Sequence, residues 1–191
     1  MAAFSMVARY KRQVPQDQSL PAIWLISDHR NDSVLERALR RLPKGSGFIY
    51  RHYHLHDRAR FKRFRALRRI AIGAGHVIIL ADSALTAAEW GADGVYGPPR
   101  ALTPKRRGLL HLSSAHDLRE VGLANRYGSD AVLISPIFPT RTHPGGQTLG
   151  PVRFRLLAQH SRSPVIALGG MDSGRARTLK WPRWAAIDGL S

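Results

Sequence analysis

Eight short apolar runs, separated by segments of helical periodicity, constrain this 191-residue chain more than any other feature. They are AIWLIS (22–27), GFIY (47–50), HVIIL (76–80), DGVY (93–96), LLHLS (109–113), AVLIS (131–135), PVIAL (164–168) and AAIDGL (185–190). Such runs barely alternate with polar residues, so they are strands buried on both faces, and that is the habit of a parallel sheet covered by helices. Helical patterns fall at 32–42, 58–72, 83–90, 116–127, 151–160 and 172–180, whereas 97–108 reads mostly as loop. Eight strands in this alternation predict one α/β domain, a (β/α)8 TIM barrel over 21–191, preceded by an N-terminal extension at 1–20. The chain is short for that fold. A doubly wound open sheet is the competing pattern, but no G-x-G-x-x-G follows the first strand.

Cysteine is absent, which removes disulfides and zinc thiolates and suits a reducing cytoplasm. No segment approaches the roughly 20 apolar residues of a membrane span, and the N-terminal stretch is too polar for a signal peptide, so neither a membrane nor secretion is expected. The formal charge of +17 would suit phosphorylated substrates, nucleic acid or anionic lipid. Its densest run, RARFKRFRALRRIAIG (58–73), places Phe61, Phe64, Leu67 and Ile70 at helical spacing, with basic side chains on the other faces. That is the pattern of a solvated helix face. No RRM, KH, helix-turn-helix or zinc-finger signature is present, so nucleic acid is not the expected partner.

In a barrel, chemistry belongs to residues just after each strand. Here these are Asp28, Arg51, Asp82, Ser114, His116, the Thr140–His143 stretch and Gly169-Gly170. The segment SPIFPTRTHPGG (135–146) leaves a strand and offers hydroxyls from Thr140 and Thr142, charge from Arg141 and His143, and exposed backbone N–H groups. Those groups hold phosphate. The two glycines of ALGGMDSG would let backbone N–H groups approach the same anion, although such a pair is also common in a tight turn.

In order and near the expected spacing, LISD, GADGVYG, SAHDLREV, SDAVLISPIFPTRTHP, PVIALGG and AAIDGLS resemble the thiamine-phosphate synthase/TenI family from about Ile23 to the end. The resemblance implies a (β/α)8 barrel. Synthase members of that family join hydroxymethylpyrimidine pyrophosphate to thiazole phosphate, with Mg²⁺ and release of pyrophosphate; TenI-type members bind and tautomerise the thiazole phosphate. By this resemblance Arg51, Ser114, His116 and His143 are the candidate catalytic residues. Asp28, Thr140, Arg141, Thr142, Gly169, Gly170 and Gly189 would bind substrate phosphate, and Asp82 would hold Mg²⁺. The family's Q-x-R-x-K reads Ile49, Tyr50, Arg51, His52, Tyr53 here, so Gln and Lys are replaced. Its Asn-Asp becomes Ala81-Asp82, its second metal-binding Asp falls in PPRA (98–101), and the family's final Lys becomes His143. The closing helix of the family is not expected.

Plainer roles compete for these positions. Asp28 and Asp82 are each suited to capping a helix, and Ser114 reads as the cap of a helix that begins at 116. His52, His54 and His56 alternate as if on one face of a strand, which raises a zinc or nickel site as a minority reading. Three functions stay open: a transferase making thiamine phosphate, a TenI-like or silent phosphate-binding relative, and a basic nucleic-acid-binding barrel. Small phosphorylated molecules are the expected ligands, and self-association is left open.

Overall fold

The structure is a computed structural model that describes residues 20–140 and 145–190. The parts of the N-terminal extension up to residue 19, and Arg141, Thr142 and His143, lie outside the described residues. Eight parallel strands close a barrel in sequential order, β1 (Ile23–Ile26), β2 (Gly47–Tyr50), β3 (Val77–Leu80), β4 (Gly94–Gly97), β5 (Leu110–Ala115), β6 (Ala131–Ile134), β7 (Val165–Ala167) and β8 (Trp184–Ala186). β8 pairs back onto β1 with Trp24 opposite Ala185. The helices are α1 (Leu35–Arg41), α2 (Asp57–Gly73), α3 (Ala84–Trp90), α4 (Leu118–Arg126), α5 (Gly150–Gln159) and α6 (Ser173–Leu179). None is long and apolar enough to cross a membrane.

Each strand serves two cores, because successive side chains point to opposite faces. Trp24, Ile26, Ile49, Ile79, Leu112, Leu133 and Ile166 fill the barrel interior. Leu25, Phe48, Tyr50, Ile78 and Leu80 face the helices on one side of the ring, and Val132, Ile134, Val165 and Ala167 on the other. Trp24 sets the interior's shape. Its ring occupies the space that a Cβ at Gly47, its register partner on β2, would need, and its indole N–H donates to Pro21 O at 2.8 Å.

Several boundaries differ from the sequence expectation. β8 ends at Ala186 rather than 190, and a 3-10 turn follows at Asp188–Leu190. Asn31 explains part of this, because its buried amide donates to both Ile26 O and Ile187 O at 3.0 Å and holds the chain after β8 against the end of β1. The helix expected from 32 starts as a 3-10 segment, His29–Val34, capped by Asp28. β5 runs on to Ala115, so Ser114 lies on a strand and caps nothing; Asp117 caps α4 by accepting from Glu120 N at 2.8 Å. Ser83, not Asp82, caps α3.

The basic run does form one helix, but its buried face is Arg60, Phe64, Leu67 and Ala71, and Phe61 is 36% exposed. An arginine has taken the inward place that the apolar pattern assigned to Phe61. Arg58, Lys62, Arg65 and Arg69 lie on the exposed side.

Candidate functional site

A cavity of about 670 Å³ opens at the carboxyl ends of the strands. Arg51 reaches it from beyond β2, Ser114 from β5, His116 from the loop after it, and Thr140 from the segment after β6. Gly169 and Gly170 line it after β7, and Gly189 after β8. Seven of the residues singled out from sequence therefore share one space. Asp28 stands behind it, and Asp82 does not line it.

Arg51 is held by a rigid local network. Its Nη2 donates to Asp28 Oδ2 at 3.0 Å, while Arg30 Nε donates to Asp28 Oδ1 at 2.8 Å. Burial alone would raise the Asp28 carboxyl, but hydrogen bonds from Arg30 and the charges of Arg30 and Arg51 outweigh it and hold the group below the usual carboxylate range. Asp28 is a helix cap and a guanidinium clamp at once. The Arg51 backbone N–H donates to Ser27 Oγ, which also lies 2.8 Å from His52 Nδ1, and His52 Nε2 lies 2.8 Å from Asp32 Oδ1. Arg51 Nε is buried with no hydrogen-bond partner among the described residues, while the residue as a whole lines the cavity.

Asp82 has a different occupation. Its Oδ2 is paired with Arg60 Nη1, and its Oδ1 accepts from Ser83 N at 2.7 Å. Burial raises the Asp82 carboxyl, but the Arg60 and Ser83 hydrogen bonds more than reverse this and keep it ionised below the ordinary value. The donor set does not fit Mg²⁺: both carboxylate oxygens are engaged, one of them by a fixed cation, and the Pro98–Ala101 stretch supplies no second acid.

The histidine run also corrects its expectation. β2 ends at Tyr50, and His52 has φ of +33°, so His52, His54 and His56 do not alternate along a strand. His52 is buried between Ser27 and Asp32, and His56 caps α2 by accepting from Ala59 N. Among the described residues no group of three His, Cys, Asp or Glu side chains is arranged to hold a metal.

On the opposite wall, His116 Nδ1 lies 2.8 Å from Ser135 O, which makes Nδ1 the N–H and leaves Nε2 as the basic nitrogen. Gly169 and Gly170 have φ of +96° and +62°, and a Cβ on Gly170 would stand 2.5 Å from Pro139 O. Only glycine lets the β7 loop lie this close to the segment that carries Thr140.

The cavity residues that sequence reasoning missed include Tyr53, Tyr96, Asp172, Arg175 and Asp188. Tyr53 stands where the family has Lys, and desolvation drives its hydroxyl pKa upward. Tyr96 lies inside the quoted GVYG, and desolvation pushes its hydroxyl up to about 12, so it is a neutral hydrogen-bonding group. Arg175 packs over the Phe138 ring at 5.1 Å and donates to Gly170 O; its position five residues beyond the second glycine was the available signal.

Two buried histidines set a pH response. His111 Nδ1 lies 3.1 Å from Leu102 O, and its Nε2 accepts from Arg106 N–H at 3.2 Å, an arrangement that needs a neutral ring. Burial lowers the pKa of both His111 and His52, partly offset by Asp130 and Asp32 respectively. The unfolded chain takes up protons near pH 6.5 where the folded chain does not, so stability is complete above that value and falls as pH drops through it. The lowered carboxylates titrate below about pH 4 and leave this window alone. Urea unfolding should give a lower midpoint at pH 5.5 than at 7.5, with a smaller difference in His111→Asn. An unchanged or higher midpoint at pH 5.5 contradicts this account.

Fold and cavity together define a (β/α)8 barrel with an arginine- and glycine-lined C-terminal mouth. The chain belongs to the TMP-TENI family, described as thiamine monophosphate synthase, whose profile matches residues 23–186. A putative thiamine-phosphate synthase 2 from Aquifex aeolicus (strain VF5) is 28% identical over 160 residues, covering 80% of this chain and 86% of that protein. The thiamine-phosphate synthase of Chloroflexus aurantiacus is 33% identical over 148 residues, covering 74% of this chain and 67% of its own length. Among solved structures, thiamine phosphate pyrophosphorylase from Pyrococcus furiosus superposes with a TM-score of 0.73 at 22% identity, over 88% of this chain and 85% of that one. FabK from Thermotoga maritima superposes at 0.70 with 17% identity, over 90% of this chain and 59% of that one. At these identities the superpositions establish the barrel and nothing narrower.

Proposed function

We propose that this chain is a cytoplasmic transferase of thiamine biosynthesis, joining hydroxymethylpyrimidine pyrophosphate to thiazole phosphate and releasing pyrophosphate. One observation carries the reading: a family match over residues 23–186 coincides with a single cavity that gathers Arg51, His116 and the Gly169-Gly170 turn. In this reaction the bond between the pyrimidine methylene carbon and the pyrophosphate oxygen breaks with its electron pair leaving on oxygen. The thiazole ring nitrogen supplies the pair for the new carbon–nitrogen bond.

Each step asks for charge stabilisation rather than proton transfer. Arg51, a cavity-lining cation whose Nη2 is fixed by Asp28, is placed to stabilise the negative charge that develops on the leaving group. Backbone N–H groups at Gly169 and Gly170, with Thr140 and the Arg175 guanidinium, suit the phosphate of the second substrate. In this proposal Arg141, Thr142 and His143 contribute donors and charge to the same phosphate, Ser114 and Gly189 help line the cavity, and Tyr96 bounds the pyrimidine. Mg²⁺ does not enter through Asp82, whose oxygens are engaged by Arg60 and Ser83.

A second reading is favoured by one feature. Ile49 and Tyr53 stand where the family has Gln and Lys, and His116, with Nδ1 fixed, presents a basic nitrogen suited to moving a proton, as a TenI-like tautomerase requires. The purified chain, given both substrates with and without Mg²⁺, separates the two. Equal amounts of thiamine phosphate and pyrophosphate are expected. Binding of thiazole phosphate with no pyrophosphate released would overturn the transferase in favour of the tautomerase or a silent relative.

A further inference from the structure

The carboxylates around the mouth share one property: each is matched to an arginine of this chain. Asp28 meets Arg30 and Arg51, Asp82 meets Arg60, Asp172 meets Arg175, and Asp188 lies 3.6 Å from Arg30 Nη1. Asp28 and Asp82 have both oxygens engaged at hydrogen-bond distance, which leaves them poor ligands for a divalent ion, whereas the arginines stand 3.9 Å from Asp172 and 3.6 Å from Asp188.

The Arg60–Asp82 pair is the most firmly built of them. Arg60 comes from the buried face of α2, and its side chain is only 8% exposed. Its Nη2 donates to Ala81 O at 2.8 Å and its Nε to Arg51 O at 3.2 Å, so the guanidinium ties the end of β3 to the backbone of the cavity-lining Arg51. The rings of Trp90, Tyr53 and Tyr50 surround it at 5.4, 5.7 and 6.0 Å.

We infer that the Arg60 guanidinium has displaced the divalent cation from Asp82, so that the mouth takes up pyrophosphate through Arg51 with no metal ion bound to the protein. The pyrophosphate part rests on the proposed transferase; the metal part rests on the donors alone. Arg60 acts as a positioning residue. It supplies the fixed charge and the cross-link between strand ends that a bound ion would supply, and its bond to the Arg51 carbonyl sets the backbone from which that side chain reaches the cavity.

Mn²⁺, followed by the electron paramagnetic resonance of the free ion, reports metal uptake without any turnover. The wild-type chain should take up no stoichiometric Mn²⁺. Arg60→Met, which keeps the bulk and removes the charge, should take up one per chain and lose it again in Arg60→Met/Asp82→Asn. By calorimetry, pyrophosphate should bind the wild-type chain with the same affinity in EDTA and in Mg²⁺ to within about twofold, after allowing for magnesium pyrophosphate in solution. One Mn²⁺ per wild-type chain, lost in Asp82→Asn, overturns the inference, as does pyrophosphate binding about tenfold or more tighter with Mg²⁺. Should Arg60→Met fail to fold, the two wild-type measurements decide alone. No pyrophosphate binding in either buffer overturns the proposed role of Arg51, while the Mn²⁺ count still decides whether Asp82 holds a metal.

Discussion

Arg51→Ala is expected to lower thiamine phosphate formation by on the order of 10²-fold or more while leaving the barrel intact. The magnitude follows from removing a preorganised cation placed to face developing negative charge. Most of the loss should fall on kcat, because the leaving group carries more charge on its bridging oxygen in the transition state than in the bound substrate. The fold should survive because the contacts that organise this corner belong to the backbone: Arg51 N–H donates to Ser27, and Arg51 O accepts from Arg60. Asp28 keeps Arg30 as a partner. Arg51→Lys should recover only part of the rate, since a single ammonium cannot reproduce the planar guanidinium that Asp28 holds in place. Activity within about threefold of wild type in Arg51→Ala, measured by pyrophosphate release, would remove Arg51 from the chemistry.

Gly170→Ala should be nearly as damaging, by a different route. Its φ of +62° disfavours any side chain, and a Cβ would sit 2.5 Å from Pro139 O and 2.9 Å from Phe138 Cβ. Backbone at Pro139 has to move, and Thr140 moves with it. Thiazole phosphate binding should weaken by on the order of 10²-fold, as expected when a charged oxygen loses two or more aligned donors. Stability should fall by about 1 to 3 kcal/mol through overpacking and the left-handed conformation. Gly122→Ala is the control: it lies in α4 with nothing within 4 Å of its added methyl, so it should bind normally and be at least as stable. Normal thiazole phosphate binding by Gly170→Ala, measured by calorimetry, would separate the glycine turn from the phosphate site.

The barrel was legible because its signal is local. Runs such as VIIL and AVLI are apolar on both faces, and helical spacing between them leaves few other packings. The strand ends were less legible. The AIDGL run looked apolar enough to continue β8, yet Asn31, 156 residues earlier than its acceptor Ile187, decides that the chain turns there. The cavity residues next to strand ends were found because that position is general to barrels. Arg60 was not, because reading it requires the phase of α2 to within a fraction of a turn, and its partner Asp82 lies 22 residues away. The same fraction of a turn separates a solvated basic face from a buried guanidinium. The histidines misled for a related reason: residue type suggested metal chemistry, while neighbouring Ser27 and Asp32 had already claimed the ring nitrogens of His52.

The tryptophan stopper inside the barrel has a consequence for traffic. With Trp24, Ile26, Ile49, Ile79 and Leu112 all wholly buried, the packed interior forms a floor beneath the cavity, which lies at the carboxyl ends of the strands. Two substrates must pass inward and two products outward at that end. A molecule held against that floor can neither enter nor leave through the base of the barrel.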